Sequence, residues 1–145
     1  MKIGFVASCF DLGPHAGHIV MLKEAKENCD YLIAALHVDP SRERPSKNKP
    51  VQSAAERYLS LKACRYVDEV IPYETEEDLK NLLLLIMPAV RFLGSDYEDK
   101  PFTGKDIEDI QIHYCERLHP VSSSRLRQLI IRDFETKTIG PKTQV

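Results

Sequence analysis

Short apolar runs alternate with stretches of helical periodicity along this chain, and that alternation leaves it few folds. Residues 3–8, 31–37, 69–72, 90–94 and 110–116 are rich in Val, Ile, Leu and Tyr, as strands of a buried sheet are. Helices are predicted over 17–28, 53–65, 75–87 and 122–134. The first sets Ile19, Leu22 and Ala25 at helical spacing. The second opens on Ser53-Ala54-Ala55-Glu56, a capping-box pattern. The third opens on Thr75 and three acidic residues, which suit a positive helix end. The fourth opens on three serines and carries Leu126, Leu129 and Ile130 on one face. A short further helix is predicted over 103–107. Strand–helix alternation at this spacing predicts an α/β fold: a Rossmann-like, doubly wound parallel sheet of five strands in a single domain. That domain is predicted over 1–134, with 135–145 as a tail, because the last residues lack an apolar pattern.

The chain has 145 residues and a net charge of −2, so nothing global points to nucleic acid or an anionic membrane. Any anion site must be built locally. Cysteines at 9, 29, 64 and 115 form no C-x-x-C pair, which fits reduced thiols in a cytoplasmic protein. No export signal is evident at the start, and the longest apolar run, 82–87, is far too short to span a bilayer.

In a parallel α/β sheet ligands bind beyond the carboxyl ends of the strands. The first such turn carries His15-Ala16-Gly17-His18. Free N–H groups and the positive end of the helix make this turn a phosphate site, and imidazoles add donors for an oxygen that gains charge. Gly17 would let phosphate approach without a Cβ in the way. The second loop, bracketed by Pro40 and Pro50, is basic, with Arg42, Arg44, Lys47 and Lys49. His37, His113 and His119 have no motif support and read as structural; Arg125 and Arg127 read as surface charges. The two histidines of the turn lack a third partner with zinc-like spacing.

Five motifs in order resemble the small cytidylyltransferases of the HxGH nucleotidyltransferase superfamily, the glycerol-3-phosphate type above all. They are Phe10-Asp11 before the His-Ala-Gly-His turn, lysines ahead of Glu56-Arg57, Arg65-Tyr66-Val67-Asp68-Glu69-Val70-Ile71-Pro72, Gly94-Ser95-Asp96-Tyr97, and Arg117 followed by Val121-Ser122-Ser123-Ser124. The likeness runs from about residue 3 to 131. The segment from Asp11 to His15 is one residue longer than the family pattern, and Gly13-Pro14 is expected to absorb it as a turn. Leu118-His119-Pro120 replaces the family's Thr-x-Gly. Val-Ser-Ser-Ser also resembles adenylyltransferase sequences, which leaves CTP and ATP both open.

The resemblance implies attack by the phosphate of a small phosphorylated alcohol, such as glycerol 3-phosphate, on the α-phosphorus of a nucleoside triphosphate, CTP first, with magnesium and release of pyrophosphate. It implies catalytic roles for His15, His18, Lys49 and Arg117. It implies nucleotide contacts from Cys9, Phe10, Asp11, Gly17, Lys47, Gly94, Asp96, Tyr97, Ser122, Ser123 and Ser124. Arg65 and Arg57 are expected to bind the acceptor. Asp11 either holds magnesium or caps the turn. The alternatives are an adenylyltransferase using ATP and a sugar phosphate, and a nucleotide-binding module without chemistry. A homodimer is implied; nucleic-acid and membrane partners are not.

Overall fold

The computed structural model describes residues 1–137; 138–145, the greater part of the expected tail, lie outside the described residues. Five strands form one sheet: β1 (Ile3–Ser8), β2 (Tyr31–His37), β3 (Glu69–Tyr73), β4 (Val90–Gly94) and β5 (Gln111–Cys115). All pairings are parallel, and the order is β3-β2-β1-β4-β5. The order reverses between β1 and β4, where the loops after adjacent strands diverge and leave a crevice.

Strand residues alternate between two apolar layers. Val6, Leu32, Ala34, Leu36 and Phe92 face helices α1 (Ala16–Glu27) and α2 (Ala54–Lys62), meeting Leu22, Ala25 and Leu61. Phe5, Ile33, Ala35 and Tyr73 face α3 (Glu76–Ile86), meeting Leu79 and Leu83. Period-2 alternation on a sheet covered on both sides requires two cores. The capping boxes at Ser53 and Thr75 form as read, each hydroxyl accepting an N3 amide and each N3 carboxylate answering. α4 (Ser123–Thr136) has no buried residue, and Ile130, Ile131 and Phe134 are exposed. No helix among the described residues is long and apolar enough to cross a membrane.

Three details depart from expectation. Residues 103–107 form turns rather than a helix, because Gly104 takes a left-handed backbone (φ +86°) where helical propagation stops. A Cβ at Gly104 would also lie 2.6 Å from Leu83 Cδ1. β3 runs through Pro72 to Tyr73; it is an edge strand, where a missing N–H is tolerated. α4 continues through Glu135 and Thr136, so the helix ends later than the expected boundary at 134.

Candidate active site

The carboxyl ends of β1, β4 and β5 place Ser8, Gly94 and Cys115 along one edge, and the amino ends of α1 and α4 point toward it. A cavity of about 340 Å³ lies there, lined by His15, Gly17, His18, Arg117, His119 and the Val121–Ser123 segment among others. The expected free N–H groups of the α1 terminus are not free. His15 is the N-cap, and its Nδ1 accepts from the N–H of Gly17 (3.1 Å) and of His18 (3.3 Å). His18 answers with Nδ1, which accepts from the His15 N–H at 3.2 Å. The two rings stack with centroids 3.6 Å apart.

This double cap fixes the tautomers. A neutral imidazole whose Nδ1 accepts carries its proton on Nε2. Burial pushes the His18 pKa down to about 3, aided by its coupling to His15 and by the Arg117 charge. Burial, with His119 and Arg117, also lowers His15. Both rings are therefore neutral at pH 7, each with an Nε2 donor. His15 Nε2 lies 3.2 Å from Ser123 Oγ, whose hydroxyl donates to the Asp11 carbonyl at 3.0 Å. That chain couples the amino ends of α1 and α4 across the cavity.

A second cavity of about 690 Å³ adjoins the first. It opens toward β2, β3 and α3, and its lining includes His37, Tyr73, Glu76, Arg91, Tyr97 and Phe102. Ser8, Met21, Lys47, Gly94 and Arg117 line both cavities, so the two meet at a shared rim carrying two cations. Arg117 leans on Asp96, Nη2 to Oδ1 at 3.7 Å. Gly94 permits this approach, since a Cβ there would lie 2.6 Å from Asp96 Oδ1.

Several expected residues sit elsewhere. Arg57 is 1% exposed and donates to four backbone carbonyls, those of Cys9, His37, Val38 and Gln52. It pins the loops after β1 and β2 to α2 and has no free face for an acceptor. Arg65 is exposed over the Tyr66 ring and precedes β3 at the amino edge of the sheet, opposite the cavities. Lys49 lines neither cavity; its carbonyl accepts from Arg127. Lys47, from the same loop, lines both cavities. Phe10 is wholly buried with its ring against His18, and Cys9 lines the second cavity with its carbonyl committed to Arg57. Gly17 makes room for the chain itself: a Cβ there would lie 2.7 Å from the Val121 carbonyl oxygen. Ser122 caps α4 through the Arg125 N–H and, with Ser123, lines the first cavity; Ser124 does not. Tyr97 lines the second cavity, while Asp96 reaches the rim only through Arg117.

Asp11 does not cap its own turn; its carboxylate clamps the loop before α2 to α4. It is 4% exposed, and its oxygens accept from the N–H of Val51 and Gln52 (3.0–3.1 Å) and from Arg127 Nη2 at 2.6 Å. Burial would raise its pKa, but these hydrogen bonds outweigh burial and hold the carboxyl below its ordinary range. With its lone pairs committed, it does not fit a magnesium ligand. The clamp also holds a strained turn, since Phe10 and Leu12 on either side have φ of 52° and 54°, a conformation that costs each about 1–2 kcal/mol.

Two contributors were not evident in the sequence. Arg127 is half-buried in the clamp, although α4 periodicity alone leaves it on a charged face. His119 lines the first cavity with a buried Nδ1 that has no partner; its position between Arg117 and the serines was the available signal. His113 is not a lone structural ring either: its Nε2 lies 2.7 Å from Glu24, and with Cys115 the three ligand atoms fall within 4.8 Å of one another. Burial pushes the Cys115 thiol up to about 12, so at neutral pH it is a protonated thiol beside the Glu24–His113 contact.

Comparison with known proteins agrees with this architecture. The model of the family described as cytidylyltransferase-like matches residues 5–129. "Bifunctional protein HldE" of Aliarcobacter butzleri is 38% identical over 109 residues, 74% of this chain and 22% of that protein. "Probable ethanolamine-phosphate cytidylyltransferase" of Encephalitozoon cuniculi is 32% identical over 139 residues, 92% of this chain and 41% of that protein. The chain thus spans less than half the length of these curated relatives. A lipopolysaccharide core biosynthesis protein from Thermoplasma volcanium superposes with a TM-score of 0.63 at 23% identity, covering 80% of this chain and 95% of that one.

Proposed function

The chain belongs to the cytidylyltransferase-like family, and on that premise we propose that it is a nucleotidyltransferase. It would join a nucleoside triphosphate, CTP first, to the phosphate of a small phosphorylated alcohol. The observation that carries this reading is the stacked pair of neutral imidazoles, each with its proton directed to Nε2, beside a cavity that meets a second one at Lys47 and Arg117.

The triphosphate lies in the first cavity and the acceptor phosphate enters from the second. An acceptor oxygen attacks the α-phosphorus, the bond to the bridging oxygen breaks, and pyrophosphate takes the electron pair. The attacking phosphate is already an anion at neutral pH, so no general base is required. Catalysis then rests on alignment and on stabilising charge as it moves onto the bridging and non-bridging oxygens. The Nε2–H of His18 donates to those oxygens without a titration step, its direction fixed beforehand by the cap, and the Nε2–H of His15 joins it on leaving Ser123 Oγ. Lys47 and Arg117 at the rim neutralise phosphate on both sides. Ser122 and Ser123 close on the β- and γ-phosphates from α4. Magnesium would accompany the bound triphosphate as its counter-ion and offset its charge. The homodimer implied by resemblance is part of this reading, and sedimentation checks it.

ATP as donor is the second reading, favoured by the likeness of Val121-Ser122-Ser123-Ser124 to adenylyltransferase sequences. Pyrophosphate release measured with CTP and ATP against a panel of phosphate esters tests both. His18→Asn, which keeps a cap acceptor, is expected to abolish turnover while nucleotide still binds. Turnover that survives this change refutes the proposed chemistry, and binding without turnover in the unsubstituted protein leaves only a nucleotide-binding module.

A further inference from the structure

We propose that the second cavity selects the body of the acceptor by charge, admitting a hydroxyl-rich phosphate ester and rejecting one that carries an ammonium group, with Arg91 as the specificity-determining residue. This rests on the nucleotidyl-transfer reading for the placement of the acceptor. The selection itself rests on the cavity wall.

Arg91 projects from β4 into that wall and is only 4% exposed. Its Nη1 donates to the Thr103 carbonyl, and its buried Nε has no partner. A buried guanidinium with an unsatisfied donor is costly unless something completes it. The Nε is closed off from the cavity, but the Arg91 charge in the wall attracts a hydroxyl or an anionic oxygen and repels a cation. The rest of the lining points the same way. Arg44, Lys47, Arg91 and Arg117 face it against a single carboxylate, Glu76. That carboxylate is already taken by the Arg44 guanidinium and by the Thr103 hydroxyl at 2.8 Å, so it is not available to an ammonium.

Aromatic rings are the other means of holding an ammonium, and here they are occupied. The Arg91 guanidinium stands 5.2 Å from the Phe102 ring centre, and Lys105 Nζ stands 5.3 Å from the same ring. Lys100 lies 6.0 Å from the Tyr97 ring. A phosphorylated amino alcohol would therefore bring its positive end into a wall of cations with no free counter-charge, beside Phe102 and Tyr97 rings that already face cations. A polyhydroxy ester brings neutral hydroxyls that can accept from the lining cations and carry no charge of their own. Specificity of this kind comes from the penalty imposed on the wrong ligand.

The test is titration calorimetry of the whole protein holding a non-hydrolysable CTP or ATP analogue. The probes are glycerol 3-phosphate, a hexose 1-phosphate and phosphoethanolamine. At least one hydroxyl-rich ester should bind about tenfold or more tightly than phosphoethanolamine, the scale of one charge-assisted hydrogen bond. Arg91→Met, which keeps the length and removes the charge, should narrow that preference to within about threefold, again on the scale of losing that bond, and leave the analogue's affinity unchanged. Arg91→Lys guards against a folding defect: it keeps the charge and should keep the discrimination against phosphoethanolamine. A residue that only supported the Thr103 loop would weaken all esters alike. The inference is overturned if phosphoethanolamine binds as well as the others, if no ester binds, or if Arg91→Met leaves the preference intact. Selective binding with no pyrophosphate release on CTP or ATP would instead refute the proposed reaction and leave the selectivity standing.

Discussion

Replacing Asp11 by Asn should lower the folding free energy by about 3 kcal/mol, and the size of that loss separates a clamp from a metal ligand. The side chain is buried and accepts from two backbone N–H groups and from Arg127. Hydrogen bonds to a charged group contribute roughly 1.5–3 kcal/mol each. Asn keeps one neutral acceptor oxygen, so the two backbone bonds weaken rather than vanish, by about 0.5–1 kcal/mol each on that scale. The ion pair with Arg127 is lost; because the Arg127 side chain is 25% exposed, its share is discounted for solvent to about 1–2 kcal/mol. The sum corresponds to roughly 10 °C in the melting temperature for a domain of this size. Urea unfolding at pH 7 measures it, and a double-mutant cycle with Arg127→Met should return a coupling of about 1–2 kcal/mol. The sign with pH is also set. The Asp11 pKa is depressed in the folded state, so its contribution is complete above the unfolded carboxylate value and is lost as pH falls through the folded one. The gap between wild type and variant must therefore close in acid. Stability within ~0.5 kcal/mol of wild type, the range of an ordinary surface substitution, together with a raised magnesium requirement for turnover, would refute the clamp.

Lys47→Ala should reduce kcat/KM about a hundredfold, the usual scale for one transition-state donor, whereas Lys49→Ala should leave it within about threefold, since only its backbone is engaged in the clamp; steady-state kinetics on the two variants decides. Arg57→Met should cost about 3 kcal/mol or more in urea unfolding, because four carbonyls lose their donor, and the folded fraction should keep its KM for acceptor. The His18 pKa is held near 3 in the folded state, so the unfolded chain takes up a proton first, and stability should fall by ~1–2 kcal/mol from pH 7 to pH 5 through this group. His18→Asn should flatten that slope, as read from unfolding at the two pH values. Arg65→Ala should leave acceptor KM within about twofold, as expected of an exposed residue away from the site.

The sequence alone determined the sheet and several of the residues that gather around one cavity at its edge. Strand composition, helical spacing and capping residues are local properties, and they named all five strands and four helices to within a few residues. The His15-to-His18 turn, Gly94, Arg117, Ser122 and Ser123 were legible because motif order and the parallel topology bring the ends of β1, β4 and α4 to one edge. Only the tertiary structure decided what each charge does there. Arg57, Arg65 and Arg127 have similar sequence surroundings, yet one staples carbonyls, one is exposed at the far edge, and one completes the Asp11 clamp. Lys47 and Lys49 are two residues apart, and the clamp on 51–52 determines which of them overhangs the cavities. The role of a long cationic side chain is set by which acceptors lie within its reach. Those acceptors are mostly backbone carbonyls and carboxylates from distant parts of the chain, so no local pattern encodes them.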